Sequence, residues 1–105
     1  MQWETHLDTI TRMKAFIEVV ESGSYSAAAR KIGRSKALLS KYVRELEDEL
    51  GTLLINRTTR QLSLTEAGQT YLLAAEDIIE RLDQVKESVR QSGSDVSGTL
   101  RVSAP

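Results

Sequence analysis

Cysteine is absent from the 105 residues, and histidine occurs once, at position 6. The first absence excludes a disulfide scaffold and any thiolate metal site, and it fits a reducing cytosol. The second leaves His6 with no placed partner for acid–base work. No Gly-rich phosphate loop, paired acidic site or metal-ligand spacing replaces it, so neither catalysis nor a cofactor or metal is expected. No apolar run approaches the length needed to span a bilayer, and the opening "MQWETHLDT" is polar and acidic, unlike a secretory leader. A cytoplasmic chain without a membrane partner is the expectation. Aromatic residues are few. Trp3 and Phe16 read as packing residues and not as a stacking platform for single strands. The acidic run Glu45-Leu46-Glu47-Asp48-Glu49 reads as the solvated C-terminal half of a helix and not as a metal cluster.

What is present is ordinary globular material, 40% apolar and 28% charged. It fits one small domain, or a domain with an appendage, whose modest core invites help from a partner chain. The net charge of −1 hides an asymmetry. Residues 1–29 carry a net −2 and residues 61–105 a net −3, whereas residues 30–60 carry eight bases against four acids, a net +4. A basic middle between acidic flanks points to a local polyanion site; charges scattered over solvated faces are the plain alternative.

Apolar residues Leu7, Ile10, Met13, Phe16, Ile17 and Val20 recur at three- and four-residue steps and predict a first helix over 8–21, with Asp8 at its positive end and Gly23 at its exit. A short second helix follows. Ser24 or Ser26 is its cap, Ala28, Ala29 and Ile32 form its inner side, and Gly33 is its stop. The alanines let a neighbouring helix come close. Ser35 caps a third helix in which Leu39, Val43, Leu46 and Leu50 form a seam, widened by Leu38 and Tyr42. At 100° per residue, Ala37, Ser40, Lys41, Arg44 and Asp48 point away from that seam, and Lys36 lies on its flank. Leu53–Asn56 and the alternating Gln61–Leu64 predict a β-hairpin around the polar turn of residues 57–60. Thr65 and Glu66 open a long fourth helix that runs to about Gln91. In it Tyr71, Ala75, Ile78, Leu82, Val85 and Val89 keep a heptad step, with Leu72 and Ile79 beside them. That stripe is too long for so small a core and asks for a second chain, unless the helix folds back on its own domain. "SGSDVSG" reads as a flexible joint and "TLRVSAP" as the start of a strand, so the chain is expected to be the front of something larger.

Two helices joined by a tight turn, the second with one face free, make a helix-turn-helix. Its free face fits a major groove about 12 Å wide. Lys36, Ala37, Ser40 and Lys41 are the candidate base readers: the small residues allow close approach and the lysines donate. Ser24, Ser26, Arg34, Ser35 and Arg44 are candidate contacts to the DNA backbone, the helix-two N-terminus offering free N–H groups to a phosphate. Arg57 and Arg60, in the hairpin, reach a phosphate or the minor groove as a wing does. A winged, dimerising module that binds a protein is the rival reading.

The stretch Ser24 to Gly68 resembles the N-terminal winged helix-turn-helix of LysR-type transcriptional regulators. The residues that carry the resemblance are Ser24-Tyr25-Ser26, Ala28-Ala29, Ser40, Leu46-Glu47 with Leu50-Gly51, Arg57, and Leu64-Thr65 with Gly68. The similarity continues through the fourth helix to "GTLRVSAP". It implies a mainly α chain: a winged helix-turn-helix of three helices plus a two-stranded hairpin over 1–64, a dimerising linker helix over 65–92, and a hinge leading to an effector-binding domain over 93–105. It also implies sequence-specific binding of double-stranded DNA, at an imperfect inverted repeat, by a homodimer. The dimer is joined by antiparallel linker helices through Tyr71, Ala75, Ile78, Leu82, Val85 and Val89. Tetramers and a small-molecule effector are expected only of the full-length protein. Ile55 stands where the family often has an aromatic residue, and Lys36 and Tyr42 where it often has glutamine. Glutamine suits adenine, while lysine suits guanine or a phosphate, so the bases read are expected to depart from the family's common preference.

Overall fold

The computed structural model describes residues 3–56 and 61–96, with side chains described over 9–56 and 61–93. Four helices follow in order: α1 (Trp3–Ser22), α2 (Tyr25–Ile32), α3 (Lys36–Leu50) and α4 (Glu66–Val96). Helix α1 packs on each of the other three, and α2 packs on α3.

Phe16 and Val19 of α1 are fully buried, and Ala15 nearly so. The inward face of α1 is therefore centred on Phe16 and Val19, and the predicted stripe through Ile17 and Val20 only borders it. Arg12, one turn before Phe16, falls on this same inward face. In α2, Ser24 is the residue that caps: its hydroxyl accepts from the Ala27 N–H at 3.0 Å. Gly33 ends the helix at φ 71°, a left-handed conformation costly for any residue with a Cβ. The Gly33 and Arg34 N–H groups then close on the Ala29 carbonyl. Ala28 is wholly buried, so the α2 backbone sits close to its neighbours as the alanines predicted.

Ser35 caps α3 by accepting from the Leu38 N–H at 3.0 Å. Leu39, Val43 and Leu46 are buried as expected, but Leu50 is 45% exposed, so the seam stops one turn early. The last turn buries Glu47 in its place. One Glu47 carboxylate oxygen accepts from the backbone N–H groups of Leu54 at 2.9 Å and Ile55 at 3.2 Å. The acidic run is thus not uniformly solvated: Glu47 satisfies backbone donors that the sharp exit from α3 would otherwise leave unpaired inside the protein.

The expected hairpin is reduced, among the described residues, to one antiparallel bridge between Ile55 and Leu64. It is supported by the Asn56 N–H on the Ser63 carbonyl and by the Asn56 side chain on Ser63 and Leu64. Arg57 and Arg60 lie outside the described residues. Thr65 then does three things at once. Its N–H donates to the Leu54 carbonyl, its hydroxyl donates to the Leu53 carbonyl at 2.6 Å, and that same hydroxyl accepts from the Gly68 N–H at 2.9 Å. Gly68 is needed for space: a Cβ there would stand 2.0 Å from the Leu54 carbonyl oxygen. Helix α4 therefore starts pressed against the backbone that leaves α3. It continues to Val96, into the stretch predicted as a joint.

Candidate nucleic-acid interface

Capping by Ser35 and anchoring by Leu39, Val43 and Leu46 leave the opposite side of α3 outside. Lys36, Ala37, Lys41 and Arg44 are exposed there and Ser40 is half-buried. The Ser40 hydroxyl accepts from the Arg44 guanidinium at 3.5 Å, a contact weak enough to exchange with a ligand. Three cations and two small side chains thus share one accessible face. Lys41 is not unencumbered: its ammonium lies 3.6 Å from Glu45, one turn on.

Among the candidate backbone contacts, Ser24 and Ser35 have their hydroxyls engaged as caps, so what they present to a ligand is the helix N-terminus they fix. Ser26 is exposed beside Ser24. Arg34 lines a groove with Lys14, Ile17, Glu18, Ile32 and Ile79, on the side where α1 meets α4, which sets it apart from the Lys41 face. Arg44 also borders a groove with Asp48, Thr52 and Leu53 at the base of the hairpin.

Ion pairs hold this face to the body. Lys31 reaches Glu18 of α1 at 3.1 Å, and the Ser22 hydroxyl donates to the same carboxylate at 2.8 Å. The Ser22 bond first, then Lys31, holds the Glu18 carboxyl below the usual range against the opposing effect of burial. Arg12 of α1 donates to Glu45 of α3 at 3.0 Å and lies 3.9 Å from Glu49. Arg12 did not stand out in the sequence, and Glu45 was read there only as part of a solvated acidic run. The helical phase of Arg12, one turn from Phe16, was the available signal, but its partner is 33 positions away.

The six predicted dimer residues divide. Tyr71 packs edge-on against Phe16, with centroids 5.6 Å apart and planes at 71°, and Ala75 is fully buried, so both serve the monomer's own core. Burial, then the Glu49 carboxylate, pushes the Tyr71 hydroxyl pKa up, with Arg12 opposing. Ile78, Val85 and Val89 are exposed and Leu82 is half-buried, so the stripe they form is largely uncovered among the described residues. Among the described residues no helix is long and apolar enough to cross a membrane.

Known proteins are similar to this chain in sequence and in fold. The chain is 40% identical over 100 residues to the HTH-type transcriptional regulator PtxR of Pseudomonas aeruginosa, covering 95% of this chain and 32% of that protein. It is 38% identical over 96 residues to the HTH-type transcriptional activator AaeR of Escherichia coli, covering 91% of this chain and 31% of that protein. The chain therefore spans about a third of the length of these relatives. The crystal structure of the BenM_DBD/catB site 1 DNA complex superposes with a TM-score of 0.78 at 28% identity, covering 81% of this chain and 94% of that one. Residues 10–69 match the family described as bacterial regulatory helix-turn-helix protein, lysR family, and they include the capped turn, the anchored α3 and the Thr65–Gly68 start of α4, so the chain belongs to the LysR family.

Proposed function

We propose that this chain binds double-stranded DNA in a sequence-dependent way as a homodimer, and so serves as the DNA-binding portion of a transcriptional regulator. The observation that carries the reading is the face of α3: Lys36, Ala37, Lys41 and Arg44 stand exposed opposite a buried Leu39–Val43–Leu46 seam. A helix so anchored offers cations and small residues to base edges, and the capped start of α2 offers N–H groups to a phosphate. Arg57 and Arg60 extend the contact as a wing. The superposable BenM_DBD chain was crystallised with DNA, which supports the same use of the fold.

The dimer forms through the distal stripe of α4, Ile78, Leu82, Val85 and Val89, with Tyr71 and Ala75 bracing it from the monomer core. Two copies related by a two-fold axis read an imperfect inverted repeat. The chain acts by binding and not by catalysis, in the cytoplasm where such duplexes lie. Tetramer formation and a small-molecule effector belong to the full-length protein.

Selection of bound duplexes from a random pool tests the reading. The expected product is a pair of inverted half-sites at fixed spacing. A pool that stays random after repeated rounds refutes sequence-dependent binding.

A further inference from the structure

Building on the duplex-binding reading, we propose that Arg12 of α1 is a positioning residue for DNA recognition: it retains Glu45 on the protein side of α3 and thereby makes Lys41 available to the duplex. One carboxylate is divided between two cations. Glu45 Oε1 takes the Arg12 Nε–H at 3.0 Å, while Oε2 lies 3.6 Å from the Lys41 ammonium. Side-chain exposure rises outward through the trio, 18% for Arg12, 35% for Glu45 and 65% for Lys41. The inner bond is the shorter and drier, and a charge-assisted bond in such surroundings is the stronger. The outer contact is a solvent-exposed pair one helical turn apart, the kind that yields readily to another anion.

Arg12 is itself held in place. It sits on the inward face of α1 one turn from buried Phe16, and it has Glu49 at 3.9 Å as a second acidic neighbour. The Arg12 hydrogen bond is also the leading reason the Glu45 carboxyl lies below its usual range, ahead of opposing burial and of Lys41. Without Arg12, Glu45 keeps its negative charge but loses its anchor. The nearest cation on its own helix is then Lys41. A carboxylate paired with Lys41 both occupies the donor that a base or phosphate needs and sets a negative charge beside the polyanion. Arg12 touches no DNA in this account and acts through Glu45.

A binding cycle tests the proposal on the 105-residue chain, with the duplex recovered from the random pool as probe. Affinity and thermal midpoint are measured together for each variant. Arg12→Met is expected to weaken binding roughly three- to ten-fold, and Arg12→Lys to recover most of that loss. In a Glu45→Gln background, and again in a Lys41→Ala background, Arg12→Met is expected to change affinity less than about twofold, because the link it maintains is already gone. Equal losses in all three backgrounds would assign Arg12 a plain charge or folding effect and overturn the proposal, as would no loss in any. Glu45→Gln alone keeps the idea falsifiable if Arg12→Met folds poorly: it is expected to bind as well as the parent or up to about threefold tighter, and weaker binding overturns it. If the parent chain binds no duplex, the DNA reading itself fails, a result separate from any pattern among the variants.

Discussion

In the first turns of α4 the apolar stripe is used up inside the monomer, where Tyr71 meets Phe16 edge-on and Ala75 has no exposed surface. Beyond Ala75 the same stripe opens to solvent, with Ile78 39%, Val85 60% and Val89 66% exposed. The heptad step does not change between the two stretches. What changes is the neighbour: α1 flanks the first half of α4, and among the described residues little covers the helix beyond it. A continuous seam is therefore not one interface. Its proximal part welds the linker helix to the head, and its distal part is the surface assigned to a second copy in the proposed dimer. In the proposed dimer this weld would matter for recognition, because two heads are held at a fixed separation only if each is rigidly joined to the helix that pairs.

The contrast breaks most sharply under charge insertion. Ala75→Glu places a carboxylate where no solvent reaches, and an uncompensated buried charge costs about 3–5 kcal/mol. Loss of the cooperative thermal transition is the expected result. Ile78→Glu with Leu82→Glu should leave that transition nearly in place while sedimentation shows monomers. Dimers that survive the pair of changes would remove the distal stripe from the interface. A smaller effect sharpens the weld. Gly68→Ala drives a methyl against the Leu54 carbonyl, which neither the α4 backbone nor the hairpin base can yield to freely. A loss of about 3 kcal/mol in urea unfolding is expected, with dimerisation of the folded fraction unchanged. The smallest effect belongs to the head alone. Ser35→Ala removes the hydroxyl that accepts from Leu38 and should lower stability by about 1 kcal/mol, with sedimentation unaltered.

Much of the head was legible because its signals are local. Ser35 and Gly51 bracket α3 within one stretch of chain, and the Leu39–Val43–Leu46 spacing states which side is inward. Ser24 and Gly33 do the same for α2. The base-reading candidates follow from that phase, and they emerge exposed or half-buried as the phase requires. Four things were not legible. Glu47 reads as one more acid in a solvated run, because its partners are the backbone N–H groups of Leu54 and Ile55, and backbone donors carry no residue signature. The Arg12–Glu45 bond depends on how α1 crosses α3, which no local pattern states. The split of the α4 stripe depends on where α1 ends beside it. The joint expected from Ser92 gave way to helix as far as Val96, since the single glycine in that stretch costs a helix only about 1 kcal/mol relative to alanine and no proline lies within it. Gly68 was visible as part of a pattern, but its reason, the closeness of Leu54, belongs to the packed chain.

Duplex affinity measured across a series of salt concentrations tests the central claim most directly. Contact with about six phosphates per dimer predicts a log–log slope near −5, from the release of counterions as the cationic face of α3 meets the backbone. Association that is indifferent to salt, or that proceeds equally well with a protein partner and no duplex, would contradict it.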